Sequence, residues 1–210
     1  MISDRIWHLP ERNIEELAPF VFPGWYHPDT FRDARPIRVE YCSGNGGWIA
    51  AKAQQDPNSN WVAIEKRFLR ARKIWSKVKN YELDNLLTIC GEGYRATNEY
   101  FPTGSITEAF VNFPDPWPKR RHGMLRIIQP AFIEELLRVL VSGGTLTIVT
   151  DDATYSKMIT ETLALYPAFV SCFPAPYYAT EYPSYGTSYF EDLWRTKGKE
   201  IHYHRYYSGL

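Results

Sequence analysis

The sequence predicts an α/β fold: a doubly wound, mainly parallel seven-stranded sheet with a C-terminal antiparallel hairpin. Three observations carry that expectation. From Ile37 onward, short β-branched runs alternate with amphipathic helical stretches. Several of those runs end in a glycine turn or an acidic residue, as strands do when they open a ligand crevice at their C-terminal edge. Lys199 to Tyr207, after the proline- and tyrosine-rich link Pro174 to Gly186, alternates as one strand of a late hairpin.

The elements follow in order. Residues 1–36 hold Trp7, Phe20, Phe22, Trp25 and Tyr26 among several prolines without a sustained period, so they are expected to wrap the core of the same domain, which residues 37–210 build. Ile37 to Cys42 reads as a strand, Ser43-Gly44-Asn45-Gly46-Gly47 as a glycine turn and Trp48 to Gln55 as a short helix. Trp61 to Glu65 is the next strand. Lys66 to Lys79 is a helix with Phe68, Ala71, Ile74, Trp75 and Val78 on one face and Lys66, Arg67, Arg70, Lys73 and Lys77 largely on the others. Leu86 to Cys90 and Ala109 to Phe113 are further strands, and Pro130 to Leu140 is a helix that Val141-Ser142-Gly143-Gly144 caps. Thr145 to Thr150, the helix Thr154 to Leu165 and the strand Ala168 to Phe173 complete the alternation.

Composition bounds the function. The chain has 210 residues, 44% of them hydrophobic and 16% aromatic, enough for one substantial core and one domain. Twenty-four basic and twenty-four acidic residues balance, so any nucleic-acid site must come from local clustering. No apolar run is long enough to span a bilayer and Met1 to Pro10 lacks the pattern of a signal peptide, which argues for a cytoplasmic protein. Cys42, Cys90 and Cys172 are widely spaced in apolar segments and are expected to be buried free thiols; the five histidines form no ligand-spaced pair, so no metal is expected.

The chemistry-bearing residues gather at one predicted edge. A strand, glycine loop and helix bring backbone N–H groups close to a ligand, which makes Gly44 and Gly46 candidates for a nucleotide-like cofactor. Glu65 ends the next strand about twenty residues on, the spacing of a ribose-gripping carboxylate. Glu92 follows the third strand, Asp151 the fifth, and Glu40 lies within the first. After the fourth strand comes Asn112-Phe113-Pro114-Asp115-Pro116-Trp117-Pro118-Lys119-Arg120-Arg121-His122. Alternating prolines stop both strand and helix, so this stretch leaves the sheet as a stiff loop. Its carboxylate, indole and cationic cluster suit an anionic ligand that carries a flat ring, and nucleic acid has both.

Glu40 with Gly44 and Gly46, Ala63-Ile64-Glu65, Asn112 to His122, the Ser142-Gly143-Gly144 turn and Thr150-Asp151 together resemble the tRNA (guanine-N7-)-methyltransferase family, whose fold is the Rossmann-like one of class I S-adenosylmethionine-dependent methyltransferases. The resemblance runs from about Arg38 to Tyr203, and the proline-rich motif is its specific part. It implies that Glu40, Glu65, Glu92 and Asp115 contact S-adenosylmethionine, that Asp115 is catalytic, and that Lys119 and Asp151 contact tRNA. A Thr-x-Phe-Glu substrate motif reads here Thr187-Ser188-Tyr189-Phe190-Glu191, so either Ser188 replaces the threonine or one residue is inserted after Thr187. Cys42 stands at the family's first loop glycine, where a Cβ narrows the cofactor's approach. The basic N-terminal extension of some members is absent, which leaves RNA contacts to Lys119, Arg120, Arg121, Arg126 and the helix bearing Arg70 and Lys73.

The implied reaction is methyl transfer to N7 of a guanine in the tRNA variable loop, by a monomer or homodimer. N7 carries an in-plane lone pair and attacks without losing a proton, so Asp115 is read as orienting the guanine through its N1 and N2 donors. Trp117 either stacks on the extruded base or lids the core. Two other classes remain: a class I methyltransferase with a non-RNA substrate, which has no use for Lys119 to His122, and a catalytically impaired RNA-binding homologue, which the altered glycine loop alone favours.

Overall fold

Strands at the predicted places assemble because their residues are apolar on both faces, as burial between two helical layers requires. The computed structural model describes residues 6–8 and 22–209; Phe20 and its neighbours lie outside the described residues. The strands are β1 (Ile6–His8), β2 (Ile37–Tyr41), β3 (Asn60–Glu65), β4 (Leu86–Cys90), β5 (Ile106–Asn112), β6 (Leu140–Thr150), β7 (Phe169–Ser171) and β8 (His202–Ser208). They form one sheet in the order β1-β4-β3-β2-β5-β6-β8-β7. All neighbours from β1 to β6 pair parallel, and β8 lies antiparallel between β6 and β7, as the hairpin expectation requires.

The chain winds outward from β2 through β3 to β4, then returns to the other side of β2 for β5 and β6. The switch point of the sheet is therefore between β2 and β5. Successive residues alternate between two cores, so Val39, Tyr41, Ile64, Val111 and Ile148 pack on one face against Phe132, Leu136 and Tyr155. Ala63, Phe110 and Val149 pack on the other against Trp48, Trp61 and Tyr203. The helices are α1 (Gly47–Gln55), α2 (Phe68–Asn80), α3 (Gly93–Tyr100), α4 (Pro130–Val139), α5 (Ala153–Leu163) and α6 (Tyr189–Thr196).

The structure differs from expectation in five places. The sheet has eight strands and not seven, because Ile6–His8 adds to the free edge of β4; three residues are too few to show a period. Helices α3 and α6 were not expected, since both are eight residues long and largely polar. The Val141–Gly144 turn does not cap α4 but lies within β6, where the partner of Leu140 is Ile106 and that of Thr145 is already Glu108. Phe68 is 49% exposed, leaving Ala71, Ile74 and Val78 as the buried stripe of α2. Cys172 is exposed, while Cys42 and Cys90 are half-buried and all three thiols are free. Among the described residues no helix is long and apolar enough to cross a membrane.

The glycine loop joins β2 to α1 only because two of its residues lack a Cβ. Gly46 has φ 71°, and a Cβ there would stand 2.7 Å from Cγ1 of Ile74, so α1 and α2 touch through it. Gly44 has φ 56° but more room, with Phe190 at 3.6 Å. Gly46→Ala should cost about 2–4 kcal/mol, from overpacking added to a left-handed backbone, and Gly44→Ala about 1–2 kcal/mol. Urea unfolding of the two variants checks the order.

Candidate active site

Parallel pairing brings the C-terminal ends of β2 to β6 to one edge, so the predicted acids share that edge by topology. Glu40 pairs across to Ala63 and Phe110, and the next residue, Tyr41, to Ile64 and Val111, the residues just before Glu65 and Asn112. Glu40 is 2% exposed and Asn112 6%. The Asn112 amide donates from Nδ2 to Glu40 Oε1 at 2.7 Å, across the switch point. Glu40 Oε2 and Asn112 Oδ1 are left buried without a partner. Burial pushes the Glu40 carboxyl up to about 7, with the amide of Asn112 opposing and the Glu65 charge adding to the rise.

Glu65 is also buried, and both its oxygens accept backbone N–H groups: Oε2 from Gly44 at 2.9 Å, Oε1 from Arg67 at 2.8 Å. It holds the glycine loop in place and retains a second lone pair on each oxygen for a ligand. Glu92 is the exposed N-cap of α3 and accepts from Tyr94 and Arg95, at 3.1 and 2.9 Å. The thiol of Cys42 ties these acids together. Burial pushes it up to about 12, and Glu65, Glu40 and Glu92 all push the same way.

A cavity of about 240 Å³ opens over the loop, walled by Glu40, Cys42, Gly46, Trp48, Asn112 and Phe113, by Lys77 of α2, and by Ser188, Tyr189 and Phe190 of the α6 start. Glu65, Glu92 and Asp115 stand outside its wall. A second cavity of about 450 Å³, between α5 and Pro176 to Tyr178, is lined by none of Glu40, Glu65, Glu92, Asp115 and Asp151. Its buried polar pair, Ser156 and His202, is already bonded at 2.7 Å.

The proline loop begins with Phe113 at φ 46°. Asp115 is exposed and accepts the Trp117 N–H at 3.3 Å. Cys42 and Asp115 both bear on the buried hydroxyl of Tyr155, which burial raises first. Trp117 is half-buried and meets His122 edge-on, 5.6 Å between centroids. Lys119 is exposed. Arg126 does not belong with the free cations: its guanidinium bonds the carbonyls of Pro116 at 2.8 Å and Trp117 at 3.2 Å, and Sδ of Met158 at 3.0 Å. It braces the loop.

The predicted substrate residues divide. Asp151 is ion-paired with Lys199, whose ammonium lies 4.1 Å over the Trp194 ring. Thr187 is exposed, whereas Ser188 is the N-cap of α6 and accepts the Glu191 N–H at 3.2 Å. Ser188 lies three residues before Glu191 and Thr187 four. Glu191 is 6% exposed; its Oε1 takes the Tyr203 hydroxyl at 2.6 Å and Arg195 at 3.2 Å, and its Oε2 has no partner. The pattern Ser188-x-x-Glu191 is a capping-box signature, a signal in the sequence for the start of α6. Lys77 lies on a face of its helix expected to point away from the core, and Asn112 opens the proline motif; that both line one cavity is seen only in the structure. Among the described residues no group of three or more His, Cys, Asp and Glu side chains is placed to hold a metal.

Glu40 has a folded value above its ordinary 4.5, so its protonated form is the one the fold favours. Stability should be fullest below about pH 4.5 as far as this group goes and decline as pH rises toward 7, by up to about 3 kcal/mol. Glu40→Gln should flatten that part of the profile. Urea unfolding of the ligand-free protein at several pH values reads the difference.

Residues 34–204 match a family described as "Putative methyltransferase". A curated tRNA (guanine-N(7)-)-methyltransferase from Chlamydia muridarum is 42% identical over 201 residues, covering 95% of this chain and 87% of its own. Among solved structures, the 16S rRNA methyltransferase KamB superposes with TM-score 0.61 at 15% identity, over 83% of this chain and 88% of its own. Geranyl diphosphate C-methyltransferase from Streptomyces coelicolor A3(2), solved with S-adenosyl-L-homocysteine, gives 0.56 at 11%, over 84% and 70%. These two likenesses concern the fold alone. With that relative matched along nearly its whole length and the acids, glycine loop and proline motif at one edge, the chain belongs to the tRNA (guanine-N7-)-methyltransferase family.

Proposed function

We propose that the protein methylates N7 of a guanine in tRNA, in the variable loop and in the cytoplasm, with S-adenosylmethionine as donor. The observation that carries this reading is the meeting, at one sheet edge, of a glycine loop ringed by Glu40, Glu65 and Glu92 with the loop that bears Asp115, Trp117 and Lys119. The residues fit the donor. Glu40 Oε2 is a buried acceptor in need of a donor group, Glu65 has lone pairs to spare at the loop, and Gly44 leaves its backbone open to close approach. Bound there, the donor supplies an electrophilic sulfonium methyl, which N7 accepts as the S–CH₃ bond breaks; the thioether leaves neutral and the purine becomes cationic.

The chain's own residues then have separate tasks. Glu65 holds the loop and takes the ribose hydroxyls, while Glu92, fixed by two backbone N–H groups, faces the adenine. Asp115 is oriented by the Trp117 N–H and acts as an acceptor for N1 and N2 of the guanine; its charge stabilises the cation that forms at the purine. It removes no proton, because none leaves N7. Trp117 stacks on the extruded base, and Lys119 and Arg121 meet phosphates. Asp151 and Glu191, with Ser188 in place of Thr187, complete the tRNA contacts on the C-terminal side.

The deciding experiment is incubation with labelled methyl donor and unmodified tRNA, followed by strand cleavage selective for N7-methylated guanine. Cleavage at one variable-loop guanine supports the reading. Label in any other position, or none with intact donor binding, overturns it. Asp115→Ala should lower turnover about 10²–10³-fold with donor affinity nearly unchanged; equal losses in both would remove Asp115 from the transition state. Lys119→Ala should make the dependence of tRNA affinity on log salt shallower by about 0.7–0.9, which filter binding across salt concentrations measures.

A further inference from the structure

The second cavity, of about 450 Å³, lies at the same edge of the sheet as the proline loop. Both β6 and β7 run antiparallel to β8, so they point the same way, and the chain leaving β7 emerges at the edge where Asp151 follows β6. His202, in the cavity wall, pairs with Thr150, the residue before Asp151. Helix α5 stands between the cavity and the proline loop. Its Tyr155 and Met158 meet the guanidinium of Arg126, which braces that loop, while Ser156, Lys157 and Thr160 line the cavity. The two places flank one helix, a separation of about 10–12 Å.

The cavity wall is held rigidly. Tyr178 and His202, both lining it, stack with centroids 4.0 Å apart and planes at 9°. Hydrogen bonds lock the imidazole: Nε2 meets Glu200 at 2.9 Å, Nδ1 meets the Ser156 hydroxyl at 2.7 Å, and that hydroxyl meets Nε2 of His204 at 2.9 Å. Burial, with His202 adding, pushes His204 down to about 3 and keeps it neutral. The bonds then run one way, from His204 to Ser156 to His202 to Glu200. Beside this pair the Tyr177 side chain is displayed, 47% exposed, on a backbone at φ 71° that is strained for a tyrosine. Its N–H on the Pro174 carbonyl, at 2.7 Å, holds it there.

We infer that this cavity receives a nucleotide of the tRNA adjacent to the methylated guanine, its base stacked on Tyr177 and its phosphate on Lys157. The inference rests on the tRNA reading above and adds a contact that neither the proline motif nor residues 187–191 supply. Three aromatic rings and an ammonium suit a base with its phosphate, and the volume is that of a small-ligand site. Lys157 is free to serve, because its pairing with Glu161 at 3.7 Å is between exposed side chains and holds the ammonium only weakly. Extruding a guanine leaves its neighbour without a stacking partner on one face. Tyr177 offers that face a new one, within a helix diameter of the loop bearing Asp115, so restacking of the neighbour offsets part of the cost of extrusion. Stacking accepts any base, so the contact is tolerant of sequence.

The test places 2-aminopurine, a base that fluoresces when unstacked and dims when stacked, at each nucleotide flanking the target guanine of an otherwise unmodified tRNA. In the complex with the full chain one flanking position should be dim, and with Tyr177→Gly the same position should turn bright. Tyr177→Gly should also weaken tRNA about tenfold or more and leave S-adenosylhomocysteine affinity unchanged. Glycine adopts φ 71° freely, so this variant removes the ring without straining the backbone. Tyr177→Phe should keep the dim position and the affinity. Lys157→Ala should make the dependence of tRNA affinity on log salt shallower by about 0.7–0.9. Equal fluorescence and tRNA affinity in the wild type and Tyr177→Gly, or a loss in Tyr177→Phe as large as in Tyr177→Gly, overturn the stacking assignment. Methylation of tRNA by the wild type leaves the tRNA reading standing in that event. A wild type that methylates no tRNA overturns that reading and the assignment with it.

Discussion

One hydrogen bond ties the strand before the glycine loop to the strand before the proline loop. The Asn112 amide reaches Glu40 across β2 and β5, the two strands between which the winding of the sheet reverses. At a reversal the connecting helices diverge to opposite faces, which leaves a crevice beyond the strand ends. The bond closes the floor of that crevice. A carboxylate buried there at 2% exposure would be expensive alone, and one amide satisfies only one of its oxygens. The protein therefore keeps a partnerless carboxylate oxygen in the wall of the cavity.

Backbone strain collects around the same crevice. Cys42 at 60°, Phe113 at 46° and Trp117 at 41° are three of the five non-glycine residues with positive φ among those described. Each such residue costs of order 1–3 kcal/mol and persists where its surroundings over-determine it. At Phe113 the surroundings are Pro114 after it and the β6 pairing before it, where its N–H bonds Val149 at 2.9 Å. Trp117 is fixed by Arg126 on its carbonyl and Asp115 on its N–H. The backbone on the C-terminal side of Asp115 is thus fixed by bonds within the loop and from Arg126. Cys42 shows why glycine suits its position: the backbone there is left-handed, like Gly44 and Gly46 two and four residues on.

How much of this was legible in the sequence follows from element length and burial. Strands β2 to β6 announced themselves because burial on both faces demands continuous apolar runs, and their order placed Glu40, Glu65, Glu92, Asp115 and Asp151 at one edge. Short polar elements stayed hidden. Helix α3 has Glu92 as its cap, and α6 has the Ser188–Glu191 box, but neither carries an apolar stripe long enough to show a period. Roles that depend on a partner far along the chain were also invisible. Arg126 reads as a free cation until its carbonyl partners are seen, Lys77 as a solvated one until the cavity beside it is seen.

The α6 start gives the site its remaining constraint. Ser188, Tyr189 and Phe190 wall the cavity, and the Phe190 ring lies against Gly44 and 5.9 Å from Phe113. The next residue, Glu191, faces the other way, into Tyr203 of β8 and Arg195. One turn of helix therefore joins the cavity wall to β8, the antiparallel neighbour of the strand that Asp151 follows. The Ser188 cap fixes the first turn of α6, so Phe190 and Glu191 are held in one helical turn. The C-terminal motif is thereby divided within one element, its aromatic residues at the cavity and its carboxylate against β8.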